Sequence, residues 1–128
     1  RQAVMSREIQ LKTTGLQKRD FIALEDVARG VAHMIRLPDA SLGDGIFNLG
    51  GEQVLSIYDL AVQVQKRCTE LLRFTPRIVR PEPRDSDKAE EFSYSIEKLK
   101  TTGFSLKGSL VQEIDETLRF CQEHCREL

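Results

Sequence analysis

The sequence predicts an α/β fold in which helices outweigh a few short strands. Three observations carry this. Ile57, Leu60, Ala61, Val64, Cys68, Leu71 and Leu72 recur at helical spacing behind a capping-box pair, Ser56 and Asp59. Val27, Val31, Met34 and Ile35 repeat the same period. Between the periodic stretches lie short extended runs bounded by glycine or proline, IQLKT, DFIAL, IFNL and RIVR.

Taken in order, Arg1 to Glu8 reads like the tail of a helix, and the chain opens without an initiator Met, so a fragment of a longer protein is expected. Ile9 to Thr13 alternates apolar and polar, and Gly15 turns the chain into a second extended piece from Asp20 to Leu24. A helix follows from Val27 to Leu37, capped by Asp26 and stopped by Pro38. Ile46 to Leu49, closed by Gly50 and Gly51, reads as a short buried strand. After the helix from Ile57 to Leu72, Arg77 to Arg80 is a strand, and Pro81 to Glu91 is charged and proline-interrupted, a surface loop of the kind that carries binding residues. A short helix around Ser95 to Lys100 ends at Gly103. The last helix starts at Ser109 with Gln112 completing a second capping box, and buries Val111, Ile114, Leu118, Cys121 and Cys125. KTTG occurs twice, ending at Gly15 and Gly103, but the flanks are unrelated and no repeat is implied.

At 128 residues the chain forms at most one domain of ordinary size. No run approaches the roughly 20 apolar residues that cross a bilayer. Nineteen Lys and Arg balance 20 Asp and Glu, a formal charge of −1 without basic tail or acidic block, which argues against nucleic-acid or membrane partners. Three cysteines in helical patterns suggest reduced thiols and a cytoplasmic location. Cys121, His124 and Cys125 lie within about one and a half turns, but lack a fourth ligand, and core packing of the cysteines is expected instead of a metal site.

The order Gly15-x-Gln17-x-Arg19-Asp20-Phe21-Ile22-x-x-x-Asp26-Val27-Ala28, then Phe47-Asn48-Leu49-Gly50-Gly51, then Ser56-x-x-Asp59-Leu60-Ala61 resembles the NAD-dependent epimerase/dehydratase family of extended short-chain dehydrogenase/reductases. The resemblance runs from Ile9 through the last helix. It implies a C-terminal fragment of an extended Rossmann-type enzyme that acts on nucleotide sugars with NAD or NADP: the last strand of the parallel sheet, Ile46 to Leu49, plus a small substrate-binding subdomain. The family's Gly-rich dinucleotide loop and catalytic Tyr-x-x-x-Lys pair are not in this sequence at their expected places, so no cofactor and no turnover are expected of the segment by itself. The missing Rossmann portion is then its partner, or a homo-oligomer forms through the exposed strand edge. The rival reading is a non-catalytic binding or scaffold module derived from the same fold.

The resemblance also implies substrate-binding residues. Arg19 falls where the family places an arginine on the diphosphate, a task suited to a guanidinium with its fixed fork of donors; the structural alternative is an ion pair with Asp20 or Asp26. Asn48 ends the expected strand, and ligands of open α/β sheets lie beyond the carboxyl ends of strands; the alternative is an amide satisfying nearby backbone. Arg80 and Arg84 occupy the stretch where an arginine and a following acidic residue hold phosphate and ribose. Arg84-Asp85-Ser86-Asp87 departs from R-x-G-D, leaving both arginines open and Asp87 as a candidate acid. Gly50-Gly51 lacks the third glycine of a phosphate loop and reads as a turn. Tyr94 and Lys98 have the Tyr-x-x-x-Lys spacing but follow the RDF and FNLGG blocks instead of preceding them, so they are not taken as catalytic.

Overall fold

The computed structural model describes residues 1–84 and 91–125. Its elements are α1 (Gln2–Met5), β1 (Glu8–Gln10), β2 (Lys18–Phe21), α2 (Leu24–Ile35), α3 (Asp39–Leu42), β3 (Gln53–Ser56), α4 (Ile57–Leu72), β4 (Arg77–Val79), α5 (Glu97–Lys100) and α6 (Leu110–His124). The strands form two separate ladders: β1 runs parallel to β4, with Ile9 opposite Ile78, and β2 runs antiparallel to β3, with Asp20 opposite Val54.

The main core lies between α4 and α6 and is sealed by α1. Ala3, Cys68, Leu110, Ile114 and Leu118 are buried together, with Phe21, Leu55, Leu60 and Val64 packed around them. At the start of α4 the capping box forms in full: the Ser56 hydroxyl accepts from the Asp59 N–H at 3.0 Å and the Asp59 carboxylate accepts from the Ser56 N–H. α6 has half of its expected box, with the Ser109 hydroxyl accepting from the Gln112 N–H. Its buried face is turned slightly from the expected one. Leu110 is buried while Val111 is 46% exposed, because Leu110, Ile114, Leu118 and Cys121 follow the i, i+4, i+8, i+11 line that faces α4.

Two expectations are corrected. Ile46 to Leu49 is not a strand in this chain: it pairs with neither ladder, and Ile46 is 71% exposed. Side chains hold the segment instead. The Lys98 ammonium donates to the Ile46 carbonyl and lies 4.8 Å from the Phe47 ring centre, and Leu49 packs so closely on Gly30 that a Cβ there would lie 2.8 Å from it. The strand that follows is β3, which lies beyond the glycine pair. Nor does Asp26 cap α2. The N-cap is Ala23, which lacks a capping side chain, and the free Leu24 N–H donates to Glu113 of α6 at 3.0 Å. Asp26 is buried, at 2% exposure, and its carboxylate accepts from the Lys107 and Gly108 N–H groups and from Arg29. A charged acceptor with three donors tolerates that burial.

No helix among the described residues is long and apolar enough to cross a membrane.

Candidate functional site

Because β1 and β4 are parallel neighbours, the chain leaves both strands on the same side of the molecule. The Leu11 N–H still donates to the Val79 carbonyl at 2.8 Å, and beyond that bond the two exits diverge around a cavity of about 580 Å³ lined by Thr13, Thr14 and Pro81 to Arg84. The cavity therefore lies outside the carboxyl ends of a parallel pair, where ligands of α/β sheets bind.

Arg80 forms part of the frame. Its guanidinium donates to the Thr14 carbonyl at 2.8 Å and lies 3.5 Å over the ring of Tyr58, in the first turn of α4. Tyr58 is fixed in turn by its N–H, which donates to the Gly15 carbonyl at 2.9 Å. Gly15 has φ +78°, and a Cβ there would lie about 3.1 Å from Tyr58, so the turn requires glycine twice over. Thr13 exchanges side-chain hydrogen bonds with Gln17 across the same turn. Among the described residues, Arg84, exposed, is the cationic residue that lines the cavity itself.

Arg19 lines a different, smaller cavity of about 220 Å³, with Asp20, Ile22, Leu49, Gly50, Phe92 and Tyr94. It pairs with neither aspartate considered for it. Asp20 accepts from the Gly51 and Gln53 N–H groups, at 2.7 and 2.8 Å, and Asp26 pairs with Arg29. Arg19 instead donates to the carbonyl of Lys18 and stays exposed. Phe92 and Tyr94 are stacked at 6.3 Å between ring centres. Asn48 is nearby in sequence, but its amide donates to the Ser95 carbonyl at 3.2 Å, a loop-to-loop tie. Asp87 lies outside the described residues. The structure thus places Arg84 on the lining of one cavity, with Arg80 behind it on the Thr14 carbonyl, and Arg19 on the lining of another. Sequence reasoning missed Thr13, Thr14, Tyr58 and the Phe92–Tyr94 pair. The signal available for the first two was a polar turn directly after a strand.

The glycine pair after Asn48 is no phosphate cradle. A Cβ on Gly51 would lie 1.9 Å from the Phe21 carbonyl oxygen and one on Gly50 would lie 2.3 Å from the Asp20 carboxylate, so protein fills the space a pyrophosphate would need. Tyr94 and Lys98 are not on one helix face either. Tyr94 precedes α5 and its hydroxyl donates to the Leu49 carbonyl at 3.3 Å, whereas Lys98 pairs with Asp44. Among the described residues no group of three or more His, Cys, Asp and Glu is placed to hold a metal. Burial pushes the Cys68 thiol up, away from the reactive thiolate form.

The model of the NAD dependent epimerase/dehydratase family matches residues 1–50. No curated protein matches the chain. Solved structures share its fold over nearly all of its length. One is an NAD-dependent NDP-hexosamine 5,6-dehydratase, TunA, involved in tunicamycin biosynthesis, with TM-score 0.68, 22% identity and 96% of this chain covered. Another is MoeE5 in complex with UDP-glucose and NAD, with TM-score 0.68, 16% identity and 97% covered. A third is the Bordetella bronchiseptica enzyme WbmF in complex with NADH, with TM-score 0.66, 25% identity and 98% covered. The chain spans only 38%, 40% and 35% of these three. By that match over residues 1–50 and that shared fold, the chain is similar to members of the NAD dependent epimerase/dehydratase family and has the fold of one segment of these solved enzymes.

Proposed function

We propose that this chain is the part of an NAD(P)-dependent nucleotide-sugar epimerase or dehydratase that holds the nucleotide sugar. The observation that carries the reading is the cavity beyond the carboxyl ends of β1 and β4, with Arg84 on its lining and Arg80 bracing the Thr14 carbonyl from over Tyr58. A diphosphate needs permanent positive charge and several donors at fixed positions. Arg84 supplies the charge, and the Thr14 hydroxyl supplies a neutral donor. Pro81 and Pro83 restrict the backbone that presents Arg84, which lowers the entropy lost on binding. MoeE5, which has been solved with UDP-glucose and with UDP-glucuronic acid, supplies the substrate class.

Arg19, with the stacked Phe92 and Tyr94 beside it, is a second contact for the same ligand, and Asp87 is the acidic residue that accompanies Arg80 or Arg84 on the ribose. NAD or NADP would supply the oxidation and reduction of the sugar in the parent enzyme. The described residues offer the cofactor's pyrophosphate no glycine loop, because the adjacent glycines, Gly50 and Gly51, are closed by Asp20, Phe21 and Tyr94. The role assigned to these residues is to bind and orient the substrate, and the chain alone binds without turnover.

Equilibrium dialysis of the chain against labelled UDP-glucose tests this. Saturable binding that unlabelled UDP displaces is the expected result. Retention too weak to saturate, or retention indifferent to UDP, would overturn the proposal in favour of a scaffold role.

A further inference from the structure

We propose a second anion site in this chain, a cavity between the C-terminal half of α2 and the 103–107 loop that takes a small phosphorylated molecule. The cavity has a volume of about 370 Å³, within the roughly 300–1,000 Å³ typical of small-molecule sites. Arg29 and His33 reach it from α2, Arg36 from the C-cap of that helix, and Lys107 from the loop. Among the described residues, no acidic side chain lines it. In a chain whose charges otherwise nearly cancel, this is a local concentration of one sign.

The site is built on a buried support. Asp26 lies beneath it and accepts from the Arg29 guanidinium at 2.6 Å and from the backbone N–H groups of Lys107 and Gly108 at 2.9 and 2.7 Å. The same carboxylate therefore fixes the cation of the helix and the backbone of the loop, and the positions of the charges do not depend on a ligand. Phe104, 5% exposed, is the second support. The Arg29 guanidinium lies 5.7 Å above its ring centre, and the His33 ring lies 5.7 Å from it. The Thr102 hydroxyl gives its one hydrogen to the Leu99 carbonyl at 2.6 Å, so the 2.8 Å contact with His33 Nε2 requires that nitrogen to donate.

Asp26 neutralises Arg29 only. Arg36 and Lys107 have no ion pair among the described residues. The carbonyls at the end of α2 account for one cation there, Arg36, by the helix dipole. They do not account for Lys107, which a carboxylate 81 positions away in sequence brings to the same cavity. Two uncompensated cations of different geometry, a planar fork and a point charge, match a phosphate group better than a carboxylate ligand or a chloride ion.

The test is a residue-resolved NMR titration of the chain with sodium pyrophosphate at constant ionic strength, in wild type and in Arg36→Ala, Lys107→Ala and Arg84→Ala. The amide signals of Gly103, Ser105 and Lys107 are expected to shift saturably. Arg36→Ala or Lys107→Ala weakens that transition by roughly tenfold or more. Arg84→Ala leaves it unchanged, which separates this site from the nucleotide-sugar cavity. Arg36 and Lys107 are both exposed, so the folded spectrum is retained in their variants. Replacing the pyrophosphate with inorganic phosphate or with a nucleoside diphosphate distinguishes the sources of the group. Shifts that rise without saturating, that sodium sulfate reproduces at equal ionic strength, or that both alanine variants leave intact would overturn the site.

Discussion

Asp26 and Gly108 are joined by a 2.7 Å hydrogen bond between a buried carboxylate and a backbone N–H 82 positions away, and this bond ties α2 to the entry of α6. Gly108 is a glycine of necessity, since a Cβ there would lie 2.3 Å from that of Ala23 and 2.8 Å from the carboxylate. Asp26→Ala leaves two N–H groups and the Arg29 guanidinium without their acceptor. The expected loss is about 3 kcal/mol of unfolding free energy, the cost of breaking a buried charged network. Urea denaturation at neutral pH measures it, and a loss under about 1 kcal/mol would mean that water replaces the carboxylate easily.

Gly51 carries the equivalent constraint on the β2–β3 side. Its missing Cβ leaves room for the Phe21 carbonyl, a backbone atom that cannot swing aside. Gly51→Ala should separate the two strands and break the Gly51 N–H bond to Asp20, for a cost of about 3 kcal/mol by overpacking. Thermal unfolding followed by circular dichroism reports it. Unchanged stability would show that the loop can move off β2.

Arg67 of α4 grips Asp115 of α6 with two donors at 2.6 and 2.7 Å, and this pairing holds the Asp115 carboxyl below the usual aspartate range. A carboxyl depressed by folding stabilises the protein fully above its unfolded pKa, and that contribution is lost as pH falls through the folded value. Asp115→Asn should therefore be less stable than wild type at neutral pH, and the two stability curves should converge in acid. Denaturation midpoints from pH 7 downward check the sign, and a gap that widens on acidification would contradict it.

The two arginine cavities make separable contributions. Arg19→Ala is expected to weaken nucleotide-sugar binding by about 1.5–3 kcal/mol, the range for a charge-assisted bond. Because Arg19 has no ion pair among the described residues and is exposed, the same variant should melt at the wild-type temperature. Calorimetric titration with UDP-glucose, paired with a melting curve, would assign Arg19 to structure if stability fell and affinity did not.

Much of this was legible in the sequence where the deciding interactions are local. The capping box at Ser56 and Asp59, the apolar line through Ala61 and Cys68, and the strand from Arg77 all depend on residues within a few positions of one another. The errors fall where the partner is distant. Asp26 looked like a cap because a carboxylate near a helix start usually is one. Its real donors are Arg29 and the N–H groups of Lys107 and Gly108, and Glu113 takes over the capping. Ile46 to Leu49 looked like a strand because it is apolar and bounded by glycine, yet a strand exists only where a ladder partner lies alongside, and here β2 pairs with Gln53 to Ser56. Arg80 and Arg84 were singled out together, but only the fold distinguishes the arginine stacked on Tyr58 from the one that lines the cavity.

Where the nucleotide sugar binds is shown by a crystal structure of the chain with UDP-glucose. The diphosphate is expected between Thr13–Thr14 and Pro81–Arg84, with the Arg84 guanidinium within hydrogen-bond distance of its oxygens and Arg80 still over Tyr58. A diphosphate bound elsewhere while that cavity holds only solvent would contradict it.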